Sequence, residues 1–118
     1  MRTKTKMILI NNYVDIYKIL FACKQGLILG LDTQTISTTK NLLEETLKLK
    51  NNYEELFKKL KIDDVSYLIL KKDLEEATSK PAPKQYILAP LSNLNTKKEK
   101  IKEDYFRINL KYQKLFWN

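Results

Sequence analysis

The chain has 118 residues, 43% hydrophobic and 31% charged, with only two glycines and three prolines. That make-up predicts one folded, helix-rich domain over 1–118 and excludes a disordered chain. The histidine count is zero and Cys23 is the single cysteine, which excludes an internal disulfide and a zinc site built of cysteines and histidines.

In chain order, residues 1–6 are polar and basic, and Met7 to Ile10 form a short apolar run of unassigned type. Asn11 or Asn12 is placed to cap a first helix from about 12 to 25, because a short side-chain acceptor satisfies the free N–H groups of a first turn. Tyr13, Ile16, Tyr17 and Leu20 keep one of its faces apolar, while Val14, Ile19, Phe21 and Cys23 widen it. Gly26 reads as its stop. Leu27 to Leu31 is either a buried extended connector or a helical turn.

Thr33 to Thr39 is a hydroxyl-rich stretch predicted as a loop ending in a cap at Ser37 or Thr38. A second helix then spans 38–61. Leu42, Leu49, Tyr53, Leu56 and Leu60 form its apolar seam, with Thr46 in the one polar slot. Lys40–Glu44, Glu44–Lys48, Glu54–Lys58 and Glu55–Lys59 stand at i,i+4, each such pair being worth about 0.3–0.5 kcal/mol. Asp63 is the cap of a third helix over 63–78, with Val65, Leu68, Ile69 and Leu74 as its apolar residues. Pro81 and Pro83 end it.

Tyr86 to Leu91 is an apolar extended segment containing Pro90. Thr96 with Glu99 has the form of a capping box opening the last helix, 95–116. Its seam is Leu94, Ile101, Tyr105, Ile108, Tyr112 and Leu115, with Lys98 in the polar slot and with Phe106 and Leu110 widening the buried stripe. The seams of the second and last helices have the same spacing, and each predicts the other as its covering surface. The expected fold is therefore all-α: a small four-helix bundle, up-down or built round an antiparallel pair of long helices. The alternative is α+β, with two short strands near 27–31 and 86–91.

The charge is uneven. Residues 1–31 carry five basic groups against Asp15, and residues 97–118 carry seven against three acids, while 32–96 has ten lysines and ten acids. The net charge of +8 thus belongs to the two ends, which would form a basic patch if they met in space. The excess of Lys, Asn, Ile and Tyr is also the bias of an AT-rich genome, as in a virus or phage, an organelle or a low-GC bacterium. Acid-poor residues 1–14 read as a plain basic N-terminus, with an organellar presequence as the alternative. Neither a secretory signal nor a transmembrane span is expected, since Asp15, Lys18 and Lys24 interrupt the most apolar region. An intracellular location, cytoplasmic or organellar, follows as the expectation.

No catalytic signature emerges. Without histidine the usual general base near neutral pH is missing, and Cys23 lies on an apolar face where burial keeps a thiol inert. The acidic doublets point about 100° apart on a helix and have lysines one turn away, which reads as a solvated, paired face and not a metal cage. No enzyme activity, cofactor or metal is expected. The leading expectation is a non-enzymatic interaction or assembly subunit, docking on a larger complex or a second copy through Tyr86, Leu88, Leu91, Phe116 and Trp117. The alternative is nucleic-acid binding by Arg2, Lys4, Lys6, Lys97, Lys98, Lys100, Lys102, Arg107, Lys111 and Lys114, whose basic groups interleave with aromatic rings near the C-terminus. A membrane-surface immunity or accessory role is the third.

Overall fold

A computed structural model describes residues 2–28, 32–80 and 90–117, with side chains over 2–25, 32–80 and 90–113. It is all-α, with helices α1 (Thr3–Ile28), α2 (Thr33–Lys59), α3 (Asp64–Ser79) and α4 (Leu91–Trp117) and no strand among the described residues. Leu27 and Ile28 belong to α1 and Leu91 opens α4. The rest of the two candidate strands, 29–31 and 86–89, lies outside the described residues.

The helices alternate in direction. Tyr13 meets Phe57, with ring centroids 5.2 Å apart, and Lys50 lies over the Tyr17 ring, so α1 and α2 are antiparallel. Asn12 meets Asp104 and Asp15 meets Lys97, which sets α4 antiparallel to α1. Glu45 meets Lys98 and Tyr53 meets Tyr105, so α4 runs parallel to α2. Parallel to α1, α3 brings Tyr67 onto Tyr13 and Leu74 toward Tyr17. The seams of α2 and α4 do touch, yet α2 packs more extensively on α1. The hub is α1, which packs on all three other helices, and its buried Leu9, Tyr13, Ile16, Ile19, Leu20 and Cys23 supply much of the core.

Three helix starts differ from the expectation, each for a local reason. Rather than capping α1, Asn12 is buried inside it, where its amide donates to Tyr53 and Asp104 at 3.0 Å each, so the residue's usual competition with the helix backbone is answered by tertiary partners. The cap of α2 is Asp32, which accepts from the Thr35 amide at 3.0 Å and its hydroxyl at 2.7 Å. The hydroxyls of Thr38 and Thr39 instead bond back to the carbonyls of Gln34 and Thr35, which lets the hydroxyl-rich stretch stay helical. Thr96 likewise bonds back to the Ser92 carbonyl and Glu99 pairs with Lys98, so the expected capping box is not made and α4 starts four residues early, just after Pro90. Gly26 sits inside α1 rather than at its end.

The α2–α3 junction follows the expectation. Asp63 accepts from the Val65 amide and the Ser66 hydroxyl and caps α3. Before it, the Ile62 amide bonds the Phe57 carbonyl and the Lys61 amide bonds the Lys58 carbonyl, with Lys61 at φ 51°. This is a Schellman close, with Ile62 and Phe57 both buried as its apolar clasp.

Candidate functional site

Two polar junctions hold the helices in register. In the first, the Tyr53 hydroxyl donates to the Ile101 carbonyl at 2.9 Å and accepts from Asn12, whose amide also reaches Asp104, tying α1, α2 and α4 together. The second is centred on the half-buried Glu54 carboxylate, which accepts from the Tyr13 hydroxyl at 3.2 Å and pairs with Lys50 and Lys71 at 3.4 Å. Burial raises the Tyr13 and Tyr53 phenols above their ordinary range, the neighbouring Tyr17 hydroxyl adding to the rise at Tyr13. Lys71 is held above its usual range by Glu54. Tyr17 is buried beside this junction, and its hydroxyl has no hydrogen-bond partner among the described residues. These groups pair with one another across the helices.

The polar slots of the two seams are occupied as the spacing predicts. Thr46 is wholly buried and its hydroxyl bonds the Leu42 carbonyl at 2.6 Å. Lys98 is buried between Glu45 and Glu99. Burial opposes its charge, but the two carboxylates more than offset that and raise its pKa, while Lys98 lowers that of Glu45. None of the expected i,i+4 pairs Lys40–Glu44, Glu44–Lys48, Glu54–Lys58 and Glu55–Lys59 closes to within 4.0 Å among the described residues. Glu54 instead pairs with Lys50 one turn earlier on α2 and with Lys71 on α3, both partly desolvated and so more strongly attracting than an exposed Lys58.

Cys23 is buried, as its place on the apolar face of α1 predicts, and burial pushes its thiol up to about 11. Among the described residues no three histidine, cysteine, aspartate or glutamate side chains converge as a metal site would require, and no helix is long and apolar enough to cross a membrane.

The surface carries more information than the interior. On α3, Tyr67, Leu70 and Leu74 pack against the core, while Val65, Leu68 and Ile69 point away from it with 66%, 58% and 58% of their surface exposed. Of the four apolar residues named from the sequence for this helix, Leu74 packs on the core and Val65, Leu68 and Ile69 do not. Two apolar stripes share this short helix, and the one containing Tyr67 wins the core because its rings stack on Tyr13 and Phe57 at 5.9 and 5.2 Å. Phe106 and Leu110 are also exposed and do not widen the buried stripe of α4; Phe106 borders an open groove shared with Glu45, Lys48 and Leu49 of α2.

Of the residues predicted to meet a partner, Leu91 is half-buried against the core. Tyr86 and Leu88, and the side chains of Phe116 and Trp117, lie outside the described residues. Of the basic residues, Arg2, Lys4, Lys100, Lys102 and Lys111 are exposed and Lys6 is half-exposed. Lys97 pairs with Asp15, Lys98 is buried and Arg107 pairs with Asp104. The Lys114 side chain lies outside the described residues. Because α1 and α4 are antiparallel, Arg2, Lys4 and Lys6 share one end of the bundle with Arg107 and Lys111. Lys97 and Lys100 stand two to four helical turns away, roughly 10–20 Å at 1.5 Å per residue.

No family model matches the chain, and neither a curated protein nor a solved structure is detectably similar to it.

Proposed function

We propose that this protein is a non-enzymatic interaction module that associates with a protein surface through the outward face of α3. The observation that carries this reading is the exposure of Val65, Leu68 and Ile69 together on a helix that gives no fully buried residue to the core. Val65 stands one helical turn before the adjacent Leu68 and Ile69, so the three aliphatic side chains form a continuous apolar strip, and such strips mark contact sites. The interior supports the same reading, since Tyr53, Glu54 and Lys98 are taken up in contacts between helices.

The test is association of purified protein at moderate salt, followed by light scattering and by identification of any co-eluting chain, with Leu68→Glu compared in parallel. The expected result is an assembly or bound partner lost in Leu68→Glu while helicity is kept. A clean monomer with no bound protein, unchanged by the substitution, overturns the reading.

Nucleic-acid binding is a second reading, favoured by the sharing of one bundle end by Arg2, Lys4 and Lys6 with Arg107 and Lys111. It requires affinity for a duplex or single strand to fall steeply as salt rises, through counterion release. Absent or salt-independent binding removes it.

A further inference from the structure

The outward face of α3 is patterned in charge as well as in hydropathy. Leu68 lies near its middle, Asp64 stands one turn before and Lys72 one turn after, and all three are exposed. Lys61 lies further out on the acidic side and Glu76 further out on the basic side, also exposed. None of Lys61, Asp64, Lys72 and Glu76 forms an ion pair with another described residue, although charged neighbours elsewhere on the surface do. Along the line through Leu68 the strip is therefore flanked by unspent charges whose signs invert when the helix is read backwards. The exposed Asp73 and Glu75, also without an ion pair among the described residues, stand to either side of that line and add acid to its C-terminal half.

That inversion is the property an isologous interface needs, because a two-fold axis sets each residue against its mirror position in the other copy. We propose that the occupant of this face is a second copy of the chain, with the two α3 helices antiparallel about an axis beside Leu68. Asp64 of each copy then faces Lys72 of the other, and Lys61 of each approaches Glu76 of the other. Leu68 and Ile69 meet their counterparts on the axis, and Val65 lies along the aliphatic stem of the other copy's Lys72. A parallel arrangement would stack Asp64 on Asp64 and Lys72 on Lys72, so the charge pattern selects the antiparallel one. It also closes the assembly at two copies.

This rests on the interaction reading of the same face and names its partner. The interface is small: α3 spans roughly 24 Å, and one helix face of that length lies at the lower end of stable contacts, so dissociation is expected on the order of 10–100 µM.

The experiment is light scattering or sedimentation of the full chain across about 1 µM to 1 mM at low and moderate salt. The expected result is a mass rising toward twice the monomer, with weaker association at higher salt. Leu68→Glu should stay monomeric with unchanged helicity, since the side chain is outside the core. Asp64→Lys and Lys72→Asp should each weaken dimerisation about tenfold, and the double variant Asp64→Lys/Lys72→Asp should restore it. Failure of the double variant to recover, or a dimer that survives Leu68→Glu, overturns the proposal. Should the wild type stay monomeric while Leu68→Glu releases a different bound protein, self-pairing falls and the interaction reading stands. If neither association exists, both fall.

Discussion

The hydroxyl of Tyr53 donates to the Ile101 carbonyl and accepts from Asn12, whereas that of Tyr17 is buried with no partner among the described residues. A buried hydroxyl that is paired contributes about 1 kcal/mol, and one left unpaired costs a comparable amount of desolvation. The same substitution is therefore expected to have opposite effects. Tyr53→Phe should lose about 1–2 kcal/mol, because it also strips Asn12 and Ile101 of a partner, while Tyr17→Phe should be neutral or gain up to about 1 kcal/mol. Urea denaturation of the two variants decides it, and equal losses would remove the assignment of the two hydroxyls. Little of this was legible in the chain. Asn12 and Tyr53 are 41 positions apart, and an asparagine beside a helix-like run reads as a cap unless its distant partners are known.

Among the elements, legibility followed how local the deciding interaction was. Asp63 was found because its acceptors' partners, Val65 and Ser66, are two and three residues away. The starts of α1 and α4 were missed because threonine and asparagine side chains that normally end helices are satisfied here by backbone carbonyls or other helices. Periodicity identified α3 as a helix but not which of its two apolar stripes faces inward, since that depends on ring contacts with Tyr13 and Phe57. The stop of α2 offers a test. Lys61 holds φ 51°, a left-handed conformation in which a Cβ atom is strained by about 1 kcal/mol and glycine is not. Replacing Lys61 by Gly should raise stability by about 0.5–1 kcal/mol, the gain being trimmed by the freer unfolded chain. Thermal melts belong at low micromolar concentration, where pairing through α3 does not contribute. A loss of stability would mean that the turn is not closed as described.

For the molecule as a whole, the burial of ionisable groups in the α1-centred core makes stability depend on alkaline pH. Folded Tyr13, Tyr53 and Cys23 have raised pKa values because burial disfavours their anions. In the unfolded chain the thiol ionises near its ordinary value of about 8.5 and the phenols near about 10. Below about pH 8 both states hold these protons and stability is unaffected by them. As pH rises past the unfolded values, the unfolded state releases protons that the folded state keeps, so stability falls. Each such group contributes about 1.4 kcal/mol per pH unit between its unfolded and folded values. The expected profile is a shallow decline from about pH 8.5, carried by Cys23, that steepens above about pH 10 as the tyrosines join. The thiol contribution ends near its folded value of about 11. Cys23→Ala should flatten the first limb and leave the second, even though it lowers stability throughout by opening a small cavity. Phenolate absorbance should show Tyr13 and Tyr53 titrating only as helicity is lost. Urea midpoints constant from pH 7 to 11, or phenolate signal from all seven tyrosines before unfolding, would mean that α1 does not bury these groups and that the core is not organised around it.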